Sequence, residues 1–200
     1  MPKAQYGRLP WYEPAEFTPE QQEFYAATAL GPRMPATRSL PLVDPEGRMY
    51  GPFNALLATP TIAHAFHEVG RRLRYDSSFT PRGREVAILE LSTLRRCGTE
   101  WYAHSPIGAR VGLTEDELNA LKTGAPAPTL DHSEQLIRKV TQSLARARDV
   151  DDALYAAAVE ALGEKVLVEL VMLIGYFDLL ATFMTVFRSG IPDGLPDPYG

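Results

Sequence analysis

Short polar sequences of the kind that start α-helices recur along the chain, and they constrain its fold more than any other feature. Thr18-Pro19-Glu20-Gln21 joins a threonine N-cap to a first-turn proline and a glutamine that can complete a capping box. Thr80-Pro81 repeats the first two signals, and Thr114-Glu115-Asp116-Glu117 is a second capping box. Apolar residues follow these signals at helical spacing, and no alternating strand pattern exceeds four residues, which predicts an all-α fold. Further N-caps are offered by Asp131 or Ser133, and by Asp151.

These boundaries predict about eight helices, which we assign to one domain over residues 1–200. A hydrophobic content of 45% and a charged content of 22% are typical of a globular protein with a sizeable core. The helical part is flanked by an N-terminal arm at 1–17 and an irregular tail at 189–200, and a Pro/Gly-rich loop occupies 31–52. A loop of that length often carries function or bridges subunits.

Composition argues against several classes of function. The net charge of −5 argues against nucleic acid as a partner, because phosphate binding needs a basic surface. Cys97 is the single cysteine, so no internal disulfide can form. The N-terminus lacks the apolar core of a signal peptide, and neither a phosphate-binding loop nor a dinucleotide fingerprint occurs. We therefore expect a cytoplasmic protein without a cofactor.

The segment Val166–Phe187 is apolar and long enough to span a bilayer. It also contains Glu169 and Asp178, and carboxylates within a membrane are costly. We predict instead a helix that is buried nearly all round, in the core or at a subunit interface, and no membrane partner. Asp178 then needs a partner from another helix or subunit, or lines a pocket.

The stretch RRCGTEWYAH, residues 95–104, places Cys97, Glu100 and His104 at spacings of three and four. Such spacings bring side chains to one face of a helix. If Thr99 caps that helix, its free amide groups can stabilise a Cys97 thiolate. Together the thiol, carboxylate and imidazole are candidates for a proton relay.

Glu85, on the preceding helix, is a fourth candidate for this set. If the two helices fold back around Cys97–Thr99, His104 lies opposite Leu91 or Ser92. Glu85 is then about two turns further on, roughly 9 Å by helical rise. Contact with His104 would need a water bridge or staggered packing, and Glu85 could instead balance the dipole of its own helix.

Residues 82–124 resemble the core of the carboxymuconolactone decarboxylase family, also called the alkylhydroperoxidase D-like (AhpD-like) family. The shared pattern is Arg-Glu before an apolar helix, then Cys, Glu-Trp and His, and finally Ala-x-x-x-Gly-Leu-Thr with an acidic capping box. The resemblance implies an AhpD-like helical fold with a central antiparallel helix hairpin. It also implies a homo-oligomer (a dimer, trimer or hexamer) with active sites near subunit contacts.

The peroxidase branch of this family uses a glutamate, two cysteines separated by two residues, and a histidine. Carried over by position, these fall on Glu85, Cys97 and His104, with Glu100 in place of the second cysteine. Cys97 therefore cannot close the local disulfide of the dithiol cycle, and a peroxidase would need an external thiol. The decarboxylase branch needs neither a disulfide nor a cofactor, so acid–base groups suffice there.

We therefore hypothesise a cofactor-independent enzyme that uses proton transfer on a small carboxylate- or carbonyl-bearing substrate. The catalytic set is His104 with Glu100 and Glu85, assisted by Cys97. The alternatives are a single-cysteine, thiol-dependent peroxidase and a non-catalytic oligomeric binding protein. The residues assigned to substrate binding are Trp101, Tyr102 and Arg84.

Two further motifs carry weaker signals. His64 and His67 are three residues apart on a predicted helix, but no third ligand is evident nearby, so we predict no metal site. The basic run Gly70–Arg74 is interpreted as a solvated helix end. Arg84 could pair with Glu68 or Glu85 instead of binding substrate.

Overall fold

The computed structural model describes residues 4–30, 40–191 and 195–200, and within them α-helices dominate. Beyond the helices there are a two-stranded antiparallel pair, β1 (Gln5–Tyr6) with β2 (Leu9–Pro10), a 3-10 turn at Pro14–Glu16 and one bridge between Val43 and Met49. The prediction of an all-α fold is confirmed. The helices are α1 (Pro19–Ala29), α2 (Pro52–Leu56), α3 (Pro60–Tyr75), α4 (Pro81–Leu94), α5 (Gly98–Arg110), α6 (Glu115–Thr123), α7 (His132–Ala147), α8 (Asp152–Leu162) and α9 (Glu164–Phe187).

The predicted N-caps start five of these helices. Thr18, Thr114 and Asp131 each form a complete capping box. The cap side chain accepts a hydrogen bond from the backbone of the residue three positions on, and the side chain of that residue accepts one from the cap backbone. Thr80 and Asp151 cap α4 and α8 through single side-chain bonds. The cap predicted at Thr99 is wrong, because α5 begins two residues earlier than that cap requires, with Cys97 at the N-cap position and no side-chain bond.

Helix α4 lies at the centre of the fold, between α5, α6, α7 and α9. Every residue from Glu85 to Ser92 is buried, as expected of a helix with neighbours on all sides. Its apolar side chains join one large core that extends from α3 to α9. Two glutamates, Glu85 and Glu90, are carried into the interior with them, and each therefore needs a polar partner.

The N-terminal arm packs on a second, smaller core around Phe24, Met49 and Leu57. The Trp11 indole donates to the carbonyl of Met49, which fixes the arm to the segment before α2. Of the Pro/Gly-rich loop predicted at 31–52, residues 31–39 lie outside the described residues. Helix α2 begins at Pro52, where this predicted loop ends.

Helix α9 is long and apolar enough to cross a membrane by length and composition, with a mean hydropathy of 2.0 over its best window. One face packs in the core through Leu170, Leu173 and Phe177. Burial of α9 nearly all round within the core of one chain is wrong, because several large apolar side chains on its other face are exposed. The alternative, burial at a subunit interface, stays a prediction. Asp178 does have the predicted partner, the guanidinium of Arg95.

Candidate active site

The hairpin between α4 and α5 sets the register of the candidate active site. Helix α4 ends at Leu94 and α5 begins at Gly98, so the turn is centred on Arg96, which has a positive φ of 49°. His104 therefore lies opposite Ile88, and Glu85 is only three residues from that level, about 4.5 Å of helical rise. The two side chains span this offset, and the separation of roughly 9 Å expected from the sequence is wrong.

His104 stands between two glutamates. Its Nδ1 is 2.7 Å from Oε2 of Glu85, and its Nε2 is 3.5 Å from Oε2 of Glu100. All three residues are buried, and the ring of Phe177 meets the imidazole edge-on at 5.1 Å between centroids. The chain Glu85–His104–Glu100 thus brings together three of the four predicted catalytic residues.

The charge on Glu85 decides which nitrogen of His104 carries a proton. Burial alone would raise the pKa of the Glu85 carboxyl, but attraction to His104, the hydrogen bond between them and the charge of Arg84 outweigh it and lower that pKa. An ionised Glu85 accepts a hydrogen bond from the N–H group at Nδ1 of His104. In the neutral imidazole the lone pair is then on Nε2, the atom that faces Glu100.

Arg84 is fixed beside this pair. Its Nε is 3.3 Å from Oε1 of Glu85, and its Nη1 donates to the backbone carbonyl of Arg74 at 2.6 Å. Of the two pairings considered from the sequence, the structure shows the one with Glu85. Glu68 pairs instead with Arg71 and Arg72 on its own helix.

A cavity of about 290 Å³ opens beside His104, and Glu85, Glu100 and Arg84 lie in its wall. Residues 40–42 and 50–53 also line the cavity, so the part of the Pro/Gly-rich loop that the structure describes reaches the site. The residues that complete the wall are Arg74, Tyr75, Thr99, Ala103, Ile107, Arg110, Val111, Phe177 and Leu180.

Cys97 is not part of the cavity wall. Its side chain is buried in the core, with Sγ 3.9 Å from Sδ of Met184. Burial, together with the nearby charge of Glu100, raises the pKa of the thiol to about 12. The thiolate stabilisation expected from a helix N-terminus is therefore outweighed. Although Cys97 is near Glu100, it lies in the core, outside the cavity that the other three predicted residues line.

Trp101 and Tyr102 also lie outside the cavity wall, in contrast to the prediction that they contact substrate. Trp101 is buried edge-on against Tyr199 of the C-terminal tail. The hydroxyl of Tyr102 donates to the carbonyl of Pro196 in the same tail, at 2.8 Å. Each residue along a helix turns the side chain by about 100°, so neighbours of Glu100 in sequence face away from it.

Several residues that the sequence did not single out line the cavity. Ile107 and Val111 continue the three- and four-residue spacing of Glu100 and His104, and this pattern was readable from the sequence. Arg74 belongs to the basic run interpreted as a solvated helix end, and Arg110 is at the end of α5. Their place in the wall depends on packing between helices that are distant in sequence.

The second histidine motif forms no comparable site. The rings of His64 and His67 both meet Phe24 edge-on, within the smaller core. Among the residues that the structure describes, no group of three or more histidine, cysteine, aspartate or glutamate side chains is arranged to hold a metal ion.

Comparison with known proteins agrees with this fold and this helix hairpin. Residues 60–142 match the model of the Carboxymuconolactone decarboxylase family, a range from α3 into α7 that includes Glu85, Glu100 and His104. This segment of the chain is therefore similar to the carboxymuconolactone decarboxylase family. No curated protein sequence matches the chain.

Solved structures of low sequence identity share the fold. A peroxidase-related protein with an AhpD core from Ralstonia eutropha JMP134 superposes with a TM-score of 0.73 at 14% identity, covering 95% of this chain and 94% of that one. A peroxidase-related protein from Silicibacter sp. TM1040 gives 0.69 at 14% identity, covering 100% and 97%. A variant of the debrominase Bmp8 in complex with 2,3,4-tribromopyrrole gives 0.67 at 11% identity, covering 96% and 93%.

Proposed function

We propose that this protein is a cofactor-independent enzyme that transfers a proton on a small carboxylate- or carbonyl-bearing molecule, as a carboxymuconolactone decarboxylase does. The observation that carries the proposal is the contact of His104 with Glu85 and its approach to Glu100 in the wall of one cavity. An imidazole held by one carboxylate and facing another is suited to general acid–base catalysis.

Each group has a distinct task in this scheme. Glu85 orients His104 and stabilises the imidazolium that forms when Nε2 gains a proton. Glu100 exchanges a proton with Nε2 or with a substrate atom between them, since both residues line the cavity. The separation of 3.5 Å is long for a hydrogen bond, as is common before substrate tightens a site.

In a decarboxylation, the bond between the carboxylate carbon and its neighbour breaks and carbon dioxide leaves. The electron pair stays on the remaining carbon and is delocalised onto an adjacent carbonyl oxygen. His104, with Glu100, then supplies a proton to that carbon, and the enzyme regains a proton from water. This sequence balances without an electron acceptor or a metal.

The cavity wall also supports binding of an anionic substrate. Arg74, Arg84 and Arg110 line it together, and guanidinium groups bind carboxylates through charge-assisted hydrogen bonds. The apolar part of the same wall, which includes Phe53, Phe177 and Leu180, suits the carbon skeleton of a small acid.

The two alternatives from the sequence have less support. A peroxidase needs a reactive thiolate, whereas Cys97 is buried with a pKa near 12 and lies outside the cavity wall. A binding protein without catalysis was expected to keep Cys97, Glu100 and His104 apart, but Glu100 and His104 share one cavity. The debrominase that shares the fold is consistent with an enzyme.

The test uses a defined panel of acids, namely carboxymuconolactone and small 3-oxo acids, in deuterated water. Carbon dioxide release and incorporation of carbon-bound deuterium are followed by mass spectrometry. We expect at least one acid to react, and His104→Ala to slow it by roughly 10²–10⁴-fold. His132→Ala, which changes a histidine at the start of α7, is the matched control and should leave the rate unchanged. A rate that survives His104→Ala would contradict the proposal.

A further inference from the structure

The outward face of α9 carries a regular apolar stripe. Val168, Met172, Leu179 and Val186 are 60%, 51%, 43% and 47% exposed. With Gly175 and Thr182 they follow an alternating spacing of four and three residues along the helix. This is the heptad spacing by which one helix packs along another. We call these six residues the α9 stripe.

The described contacts of α9 argue against lipid as the covering of this stripe. Exposure is confined to one face, whereas the opposite face packs in the core. Two charged side chains beside the stripe have polar partners in the same chain. Glu169 accepts a hydrogen bond from the backbone of Ser78, and Asp178 pairs with Arg95. A bilayer would surround these charged flanks with hydrocarbon at high cost.

We propose that the α9 stripe is the contact surface between two copies of this chain, whose α9 helices pack antiparallel and cross at Gly175 on a two-fold axis. Gly175 is at the middle of the stripe, and a Cβ atom placed there meets nothing within 4 Å. This open position lets a second backbone approach closely. A two-fold axis through it makes the patch self-complementary, as an isologous interface requires.

Charges at the two ends of the stripe favour the antiparallel arrangement. Glu164 and Val186 are each eleven residues from Gly175, about 16.5 Å along the helix, so they lie opposite each other across the two-fold axis. Nη1 of the exposed Arg8 is bound to the carbonyl of Val186 at 3.1 Å. Arg8 therefore faces the partner subunit's Glu164, and symmetry repeats this pair at the other end. A parallel pair would instead bring like charges together.

The neighbouring helix α3 extends the surface. The stacked rings of Phe66 and Tyr176 join α3 to α9, and the exposed Ile62 and Val69 are within one turn of Phe66. At about 10 Å width per helix, α9 and α3 present on the order of 600 Å² in projection, comparable to the ~800 Å² that each partner hides in a standard interface.

The first test measures the mass of the full chain by sedimentation velocity. We expect the unchanged protein to contain two chains or a multiple of two. Leu179→Glu puts a charge into the stripe of each copy and should halve that mass while circular dichroism stays helical. Tyr155→Glu is the matched control, because Tyr155 is similarly exposed but on α8, and it should leave the mass unchanged.

The second test covers the case in which Leu179→Glu fails to fold. Helices 8–10 Å apart bring facing Cα atoms to within about 3.4–5.4 Å, so Gly175→Cys should form a disulfide between copies under mild oxidation. Tyr155→Cys should not, and the buried native Cys97 provides no competing link. A monomeric unchanged protein would overturn the proposal. So would an oligomer that is indifferent to Leu179→Glu, or one in which Gly175→Cys does not cross-link.

Discussion

Two buried glutamates on α4, Glu85 and Glu90, are five residues apart but have different kinds of partner. Glu85 and Glu90 are each 1% exposed, and each is held by a basic side chain from another helix. Glu90 accepts from Nε of Arg138 at 2.7 Å and from Nε2 of Gln142 at 2.6 Å, both on α7. Glu85 contacts His104 on α5 at 2.7 Å.

The difference lies in the partner and in access to the cavity. Arginine remains protonated throughout the physiological range, so the Glu90–Arg138 pair has no proton to exchange and joins α4 to α7. Histidine can gain and lose a proton near neutral pH, and Glu85 and His104 both line the cavity, whereas Glu90 does not. A buried carboxylate on α4 therefore belongs to the candidate site only when its partner can exchange a proton and both residues line the cavity.

The largest expected effect is a difference in enzyme activity between variants of the two glutamates. Glu85→Gln removes the negative charge that orients His104 and stabilises its imidazolium, so turnover of a reactive acid from the panel should fall by roughly 10²-fold or more. Glu90→Gln removes the same charge outside the cavity and should leave turnover within a few-fold. Steady-state rates of both folded variants would decide, and equal losses would contradict the distinction.

The next effect separates them by stability. Arg138→Met leaves Glu90 buried without its cation and should lower the free energy of unfolding by about 3–5 kcal/mol. His104→Gln keeps a hydrogen-bond donor toward Glu85, and Arg84 stays beside it, so it should cost less. Urea denaturation of both variants measures the difference. A smaller loss for Arg138→Met than for His104→Gln would show that the Glu90 pair is not the structural one.

A smaller effect is expected on the stability of the folded protein at acidic pH. The pKa of Glu85 is lowered from its ordinary 4.5, and the pKa of Glu117 is lowered to about 2 by hydrogen bonds to Thr114 and Arg82 that outweigh burial. Carboxylates with lowered pKa stabilise the folded state above their ordinary pKa, and this contribution is lost as pH falls through the folded-state value. The free energy of unfolding should therefore decline from about pH 4.5 to about pH 2.

Single substitutions test whether Glu85 and Glu117 cause this dependence of stability on pH. Glu85→Gln and Glu117→Gln should each flatten part of the decline, as measured by denaturant unfolding at a series of pH values. Glu115→Gln is the control, because Glu115 is exposed and two residues before Glu117 in the same helix turn, and it should preserve the slope. An unchanged slope in both test variants would contradict the lowered pKa values.

The smallest expected effect is at Cys97. Because its thiol is buried and lies outside the cavity wall, Cys97→Ser should change turnover of a reactive acid only a few-fold. A disulfide reagent should react with Cys97 slowly until the protein unfolds, since the pKa of the thiol is about 12. Rapid labelling of the folded protein, or peroxide consumption lost in Cys97→Ser, would favour the peroxidase alternative instead.

Local signals predicted the fold well because helix starts are encoded locally. Thr18, Thr80, Thr114 and Asp131 each cap the helix that follows, as side-chain chemistry alone requires. The spacing of Glu100 and His104 also placed them on one face, and Glu85 was a candidate from its position on the preceding helix, which the family resemblance supported. These predictions need no knowledge of how distant segments pack.

Other features depend on geometry that the sequence does not encode locally. The contact between Glu85 and His104 follows from a turn centred on Arg96 at a positive φ, which is uncommon outside glycine and has no signal in the sequence. Arg74 and the described part of the Pro/Gly-rich loop reach the cavity only through tertiary packing. The hydropathy of α9 indicated burial but did not show which face the core covers.

The turn at Arg96 has a consequence for how this sequence can vary. Adding or removing one residue between Leu94 and Gly98 would rotate α5 by about 100° and shift it by about 1.5 Å relative to α4. His104 would then point away from Glu85 even though every site residue remained. The length of this short connection is therefore under the same constraint as the side chains of the site.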